Sequence, residues 1–415
     1  MAAARSDDDD DQVSYPEGGT RAWLVVLGAW CAMIPSMGLL NTLAVLQAWV
    51  SVNELHGIPE SSIGWIFSLY AFFLYLCGAQ VGPIFDVHDV RFLIIPGCIG
   101  IVAATMLLSL AKEYYQFLLT FGVLGGVSAS MLFNPSIATI GHWFSERRAL
   151  ATGVACTAGG VGGVVFPLII LYASPAIGFP WAIRIIGFIC AAASVAACTL
   201  LRKRLPPNKK GGSSIDLGAL RDTRYAIVTA AVFLVEFAVF IPYTYISSYA
   251  IATGLEPHKA YLLNTLLNAG AIPGRALPGY VADRFGVFNV MCVTCFTCVA
   301  FILCLWLTTP RDNEAMVTSF AVLYGFWSGA AISLTPVCIG QVCRVEDYGK
   351  RNGTAFSIAS IGALVGIPLA GAILQAQGGG YSGVIALAGG AYAAATAAFI
   401  VARGVSAGWS LKTVF

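Results

Sequence analysis

Runs of about 20 predominantly apolar residues, the length of a helix that crosses a bilayer, recur along the whole chain with short polar connections between them. Taken in order they predict twelve spans, at about 22–50, 60–83, 92–111, 114–140, 149–173, 181–201, 224–250, 259–281, 288–308, 315–340, 352–375 and 382–403. An even number of crossings puts both termini on one side. The longest connection, Arg202 to Arg224, is polar and basic and contains Pro206, Pro207, Gly211 and Gly212. It divides the chain into a tail (1–20), a first six-helix bundle (21–201), a linker (202–223), a second six-helix bundle (224–404) and a closing tail (405–415). The expected fold is all-α and integral to the membrane, with 12 transmembrane helices in two six-helix bundles.

Composition removes the soluble alternatives. Hydrophobic residues make up 58%, charged residues 11%, and mean hydropathy is +0.79. The 45 glycines suit close packing of membrane helices. Most of the 23 lysines and arginines fall in the terminal segments and in the connections after even-numbered spans, so both termini are expected in the cytoplasm. The acidic run Asp7 to Asp11 reads as a solvated tail. No basic segment, short apolar core and cleavage site follow one another, so the first span is expected to act as the insertion signal. A net charge of +2 without a basic stripe gives no reason to expect nucleic acid. Cys292, Cys295 and Cys298 share a helical face but lack a nearby histidine or acid, and neither a metal nor a cofactor is expected.

Against this apolar background one charge stands out. Arg275 lies inside the eighth span and stays protonated at any relevant pH. An arginine in hydrocarbon costs about 2.5 to 17 kcal/mol, depending on how it is measured. It therefore needs a cavity, an acid or an anionic ligand. Glu236 in the seventh span is the other deeply placed charge, and is the candidate charge partner of Arg275 or carrier of a coupled proton. Asn41, Gln47, Tyr70, Asn134, Tyr243, Tyr245 and Asn268 supply further polar groups for a transport path, although each alone is as well explained by a bond between helices. The cluster Gly159-Gly160-Val161-Gly162-Gly163 lacks the lysine and hydroxyl residue of a phosphate loop, so it is read as close packing of the fifth helix, and ATP is not expected as the energy source. Asn352-Gly353-Thr354 has the form of a glycosylation acceptor, but on the cytoplasmic side.

The halves echo each other. Gly82 and Asp86 recur as Gly279 and Asp283, Pro135 as Pro336, and Gly159 and Gly163 as Gly362 and Gly366. Such a parallel repeat allows two bundles to rock about a site between them. The charges Asp86, Asp283, Arg284, Arg147 and Arg148 are read as inward-facing gating loops, with Glu346, Lys350 and Arg351 able to complete an ion-pair latch.

This organisation resembles the major facilitator superfamily. Gly279-Tyr-Val-Ala-Asp283-Arg284-Phe-Gly286 keeps that superfamily's G-x-x-x-D-R-x-G loop, whereas the first-half copy, Gly82 to Arg91, has Val87 in place of its arginine. Pro16-Glu17-Gly18-Gly19 leading to Trp23, and His142-Trp143-Phe144 leading through Arg147 and Arg148 to Gly153, resemble motifs of the monocarboxylate transporter family. With Asn268 to Arg275 they point to its fungal branch. The resemblance implies that Arg275 is the substrate-facing arginine. It also implies an aspartate and a lysine, but Ala271 and Asn41 occupy those places.

The expected function is secondary transport of a small organic solute by alternating access, most simply a carboxylate-bearing metabolite, in the cell membrane that is the family default. The alternative is an efflux transporter for a larger or neutral secondary metabolite. A non-transporting membrane sensor and an enzyme are weaker rivals. No nucleophile, base and orienting group share a recognisable spacing.

Overall fold

In the computed structural model, residues 15–206, 215–310 and 313–408 are described. The acidic run, Lys209, Lys210 and Lys412 lie outside them. Every long element is a helix: α1 Gly19–Val52, α2 Ser62–Val87, α3 Arg91–Leu108, α4 Tyr114–Ile140, α5 Arg148–Ile177, α6 Phe179–Leu200, α7 Thr223–Ala252, α8 Pro257–Phe285, α9 Val287–Trp306, α10 Glu314–Gln341, α11 Val345–Ala376 and α12 Ser382–Ser406. Eleven of these are long and apolar enough to cross a membrane. The remaining one, α8, has 29 residues but dilutes its apolar content with Asn264, Asn268, Arg275 and Asp283. It is long enough to span, and its neighbours bury Asn264, Asn268 and Arg275.

Spans expected from hydropathy are extended where polar residues find partners in protein. α11 starts well before position 352 because Tyr348 and Asn352 are buried against the other bundle. Asp86 and Asp283, expected in loops, instead occupy the last turns of α2 and α8.

Helices α1 to α6 pack into one bundle and α7 to α12 into another, joined along two seams, α2 with α11 and α5 with α8. Small residues make both seams possible. Gly78 and Gly82 of α2 lie backbone to backbone against Gly353 and Gly349 of α11, four residues apart on each helix. On the second seam Gly153 faces the Arg275 carbonyl and Gly279 faces Ala149. The expected packing role of the α5 glycines is visible: Gly162 meets Gly38 of α1, and Gly163 meets Asn268 of α8.

The ends of α2, α4, α8 and α10 lie together with the start of α1, the close of α12 and the linker. Trp143 donates to Arg202 O at 2.9 Å, Lys203 to Phe85 O, and Arg403 to Asn289. This end is called the terminal face below, and its opposite the far face. The described part of the linker includes a short 3-10 turn, Leu217–Arg221, and is pinned to α11 by Asp216 N donating to Thr354 Oγ1 at 3.2 Å.

Candidate functional site

The site is set by how closely α8 can approach its neighbours. Gly270 and Gly274 bring α8 against the Val322 and Phe326 carbonyls of α10, and Gly325 answers against Leu267. Ser333 of α10 adds a bond to Arg275 O at 3.1 Å. A fully buried arginine side chain is thereby aimed from the second bundle at α5 of the first, where Nη1 donates to Cys156 O at 2.7 Å. Gly159 leaves room for it, since a Cβ there would collide with Nη1.

The rest of the guanidinium is unused. Arg275 Nε and Nη2 have no hydrogen-bond partner, and among the described residues no carboxylate is within ion-pair distance. Nε and Nη2 form the parallel pair that binds a carboxylate bidentately. Other partnerless buried atoms surround them: Glu236 Oε2, the Tyr243 hydroxyl and Asn268 Oδ1. Buried polar groups are normally satisfied. Several unsatisfied groups around one fixed charge leave donors and acceptors that a polar ligand would satisfy.

Glu236 of α7 is 1% exposed and within electrostatic range of Arg275, but does not form an ion pair with it. Tyr75, which comes from α2 in the opposite bundle, lies near it. Nothing in the sequence distinguishes Tyr75 from the other fifteen of the 16 tyrosines.

The structure places the other expected residues in three groups. Asn41 belongs with Arg275, its Nδ2 donating to Gly159 O at 2.8 Å, and so does Asn268, whose Nδ2 donates to Asn264 O at 3.0 Å. Tyr243 also faces Arg275, and its carbonyl accepts from Asn264 at 2.8 Å. Asn134 lies nearer the terminal face and bridges the bundles, its Oδ1 accepting from Asn352 at 3.4 Å. That buried pair encloses the glycosylation-like sequence. Tyr70 lies within the first bundle and donates to Ser36 O at 2.9 Å, in the π-helical turn Ile34–Gly38 around Pro35. Tyr245 likewise donates to Ile367 O at 3.0 Å. Gln47 lies against Gly64 of α2.

At the terminal face Asp86 and Asp283 join the bundles by capping helices, and Lys350 of the expected latch reaches Asp216 of the linker at 3.8 Å. Asp283 accepts from Ala149 and Leu150 N–H, both at 2.9 Å, at the start of α5. Asp86 does the same for α11, accepting from Gly349 at 3.1 Å and Lys350 at 2.7 Å. Carboxylates at helix N-termini gain both from the free N–H groups and from the macrodipole. The repeat thus yields two matched clasps, each crossing from one bundle to the other. Arg148 adds a third contact, its guanidinium lying 4.2 Å above the Tyr348 ring. Arg284 stacks on Tyr280 of its own helix, and exposed Arg147 gives its N–H to Glu17 at 3.2 Å. Both stand beside the clasps.

Glu17 and Lys203 had no role assigned from sequence. Glu17 also accepts from Ser145 at 2.6 Å and Glu146 at 2.9 Å, which ties the N-terminal segment to the α4–α5 loop. Lys203 donates to Phe85, Asp86 and His88 carbonyls at the close of α2. Beside it, burial and then the Lys203, Arg148 and Arg204 cations lower the His142 pKa from 6.5 to about 3. The neutral ring accepts from Leu205 N at 3.3 Å. A detached His142 takes up a proton below about 6.5 whereas the folded one does not, so this junction loses stability as pH falls from about 6.5 toward 3. Amides of the α4–α5 loop should exchange faster at pH 5 than at 7.5 after intrinsic-rate correction, and His142→Gln should reduce the difference.

The sequence profile of the Major Facilitator Superfamily matches residues 26–344. This chain belongs to the major facilitator superfamily. The facilitator is 34% identical over 405 residues to the MFS transporter asaE of Aspergillus flavus, covering 97% of this chain and 91% of that protein. It is also 34% identical to the riboflavin transporter MCH5 of Saccharomyces cerevisiae, covering 89% and 76%, and 35% identical to the fujikurins efflux protein of Gibberella fujikuroi, covering 91% and 82%. The solved human organic anion transporter MFSD10 shares its fold with a TM-score of 0.70 at 15% identity, covering 92% of this chain and 98% of that one. The facilitator is a multi-pass membrane protein and a secondary transporter of small molecules, not an enzyme.

Proposed function

We propose that this facilitator exports an organic acid across the cell membrane, and that Arg275 grips the acid at the midpoint of the path. Within the superfamily we place it in the fungal monocarboxylate-transporter-like branch, on the Pro16 to Trp23 and His142 to Gly153 motifs. The observation that carries the proposal is the unfilled Nε and Nη2 pair of a fully buried arginine. A carboxylate bound there would satisfy both N–H groups and neutralise the charge. Asn268, Tyr243 and Asn41 would orient it, and Asn134 and the Asp86 and Asp283 clasps would move with the bundles. Glu236 is the charge partner, and a proton is the coupled ion. Export is supported by the efflux named for one of the relatives. The basic connections support a cytoplasmic terminal face.

A second reading, efflux of a larger or neutral metabolite, is favoured by the aromatic rings that Tyr75, Phe133, Phe240 and Phe356 bring to the boundary between bundles.

Proteoliposomes loaded with labelled mono- and dicarboxylates, and with neutral metabolites as controls, separate the two, with and without a pH gradient. An acid should be carried by the native chain and not by Arg275→Gln. Transport of neutral compounds alone, unchanged in that variant, would reject the acid site in favour of the second reading.

A further inference from the structure

Four aromatic side chains from four helices meet where the bundles join. Tyr75 of α2 stacks on Phe356 of α11 with centroids 5.3 Å apart at 27°. Phe133 of α4 sets its edge against Phe356 at 5.4 Å, and Tyr75 reaches Phe133 at 6.1 Å and Phe240 of α7 at 6.4 Å. Two of these rings belong to each bundle. The stack adjoins the α2–α11 seam, where Ser357 donates to Leu76 O at 2.8 Å. The rings must part before the terminal face can open.

Tyr75 has a second attachment. Its hydroxyl neighbours Glu236, whose Oε2 has no partner and which lacks an ion pair. One side chain therefore belongs to the stack through its ring and lies near a buried carboxyl through its hydroxyl. We infer that the Glu236 carboxyl is the binding site for a coupled proton, and that Tyr75 transmits its occupancy to the aromatic stack that joins the bundles.

The chemistry follows from hydrogen bonding. With Glu236 ionised, the Tyr75 O–H donates to a full negative charge, and such bonds are about twice as strong as neutral ones. The bond holds the α2 ring against α11. A proton on Glu236 removes the charge and loosens the tie, so that the stack can separate. It also removes the negative charge near Arg275, which then presents an uncompensated fork to an anionic substrate. Arg275 from α8 and Tyr75 from α2 are the charged or titratable groups bearing on Glu236. Among the described residues, α1, α10, α11 and α12, which also pack on α7, add none.

The inference rests on the proposed transport role of this site, but its test needs no substrate. Spin labels at His88→Cys and Glu346→Cys, exposed on opposite bundles at the terminal face, report their separation in the full chain in lipid with exposed Cys304 and half-buried Cys343 replaced by serine. The wild-type distances should lengthen as pH falls from 8 to 5.5. Asp86 and Asp283 are unchanged in every variant, so their contribution is common to all. At pH 8, Glu236→Gln should already show a several-fold larger open fraction, and Tyr75→Phe, which keeps the ring, should match it. The double variant should open no further than either single one, because both remove the same bond. A wild-type distribution in Tyr75→Phe at pH 8, or additive effects in the double variant, would overturn the inference. Tyr75→Phe decides the matter alone if Glu236→Gln does not fold.

Discussion

Arg275→Lys raises the substrate KM about 100-fold while the protein folds and inserts as before. Lysine keeps the charge but provides a point donor in place of a planar fork. A hydrogen bond to a charged group contributes about 1.5–3 kcal/mol, and each 1.4 kcal/mol is tenfold in affinity. Losing one arm of a bidentate grip together with its orientation therefore amounts to about two orders of magnitude. The Cys156 carbonyl would also lose its side-chain donor, because Nη1 supplies it. Transport kinetics in proteoliposomes, alongside thermal unfolding of the same preparations, check this. Equal KM values for arginine and lysine would mean that the fork is not used.

Gly353→Ala should hold the terminal face open and stop turnover. The added methyl group would collide with the Gly78 carbonyl, and the same is true in reverse at Gly82 against Gly349. Overpacking costs about 1–3 kcal/mol, charged almost entirely to the state in which α2 and α11 touch. Since 1.4 kcal/mol is a factor of ten, the closed state should lose between about five- and a hundredfold in population. Cys343 reports this directly. It lies beside Arg148, Arg351 and Asp86, and burial pushes its thiol up to about 12. An impermeant maleimide should label Cys343 at least about fivefold faster in Gly353→Ala than in the native chain. Unchanged labelling would place the seam outside the moving parts.

Much of the architecture was legible because a bilayer demands long apolar runs, and those runs and the basic connections are plain in the sequence. The eighth helix shows the limit. Asn264, Asn268, Arg275 and Asp283 dilute its apolar content, and the length of its apolar stretches and its repeat relation to α2 identified it. Arg275 and Glu236 were legible for the same reason, being rare charges deep in spans. The clasps were half legible. Asp86 and Asp283 stand out as a repeated pair, but their partners are backbone N–H groups at the starts of α11 and α5, and every residue except proline carries such a donor. An ion-pair latch was expected there, and for Asp86 and Asp283 the fold provides helix capping. Tyr75 was not legible at all. Its importance comes from a position between a phenylalanine and a glutamate of the other bundle, and no local pattern encodes that. Tyr70 drew notice as a polar group in a span, yet its hydroxyl is taken up by the carbonyl of Ser36 in the π-helical turn of α1.

The central claim is that Arg275 reads a negative charge on the substrate, and a pair of ligands differing only in that charge tests it most directly. Counterflow in proteoliposomes should be measured with a transported acid and with its primary amide, which has nearly the same shape and no charge. The account predicts exchange of the acid at least about 100-fold faster than of the amide in the native chain, and near-equal, low rates for both in Arg275→Gln. Equal exchange of acid and amide by the native chain would contradict it.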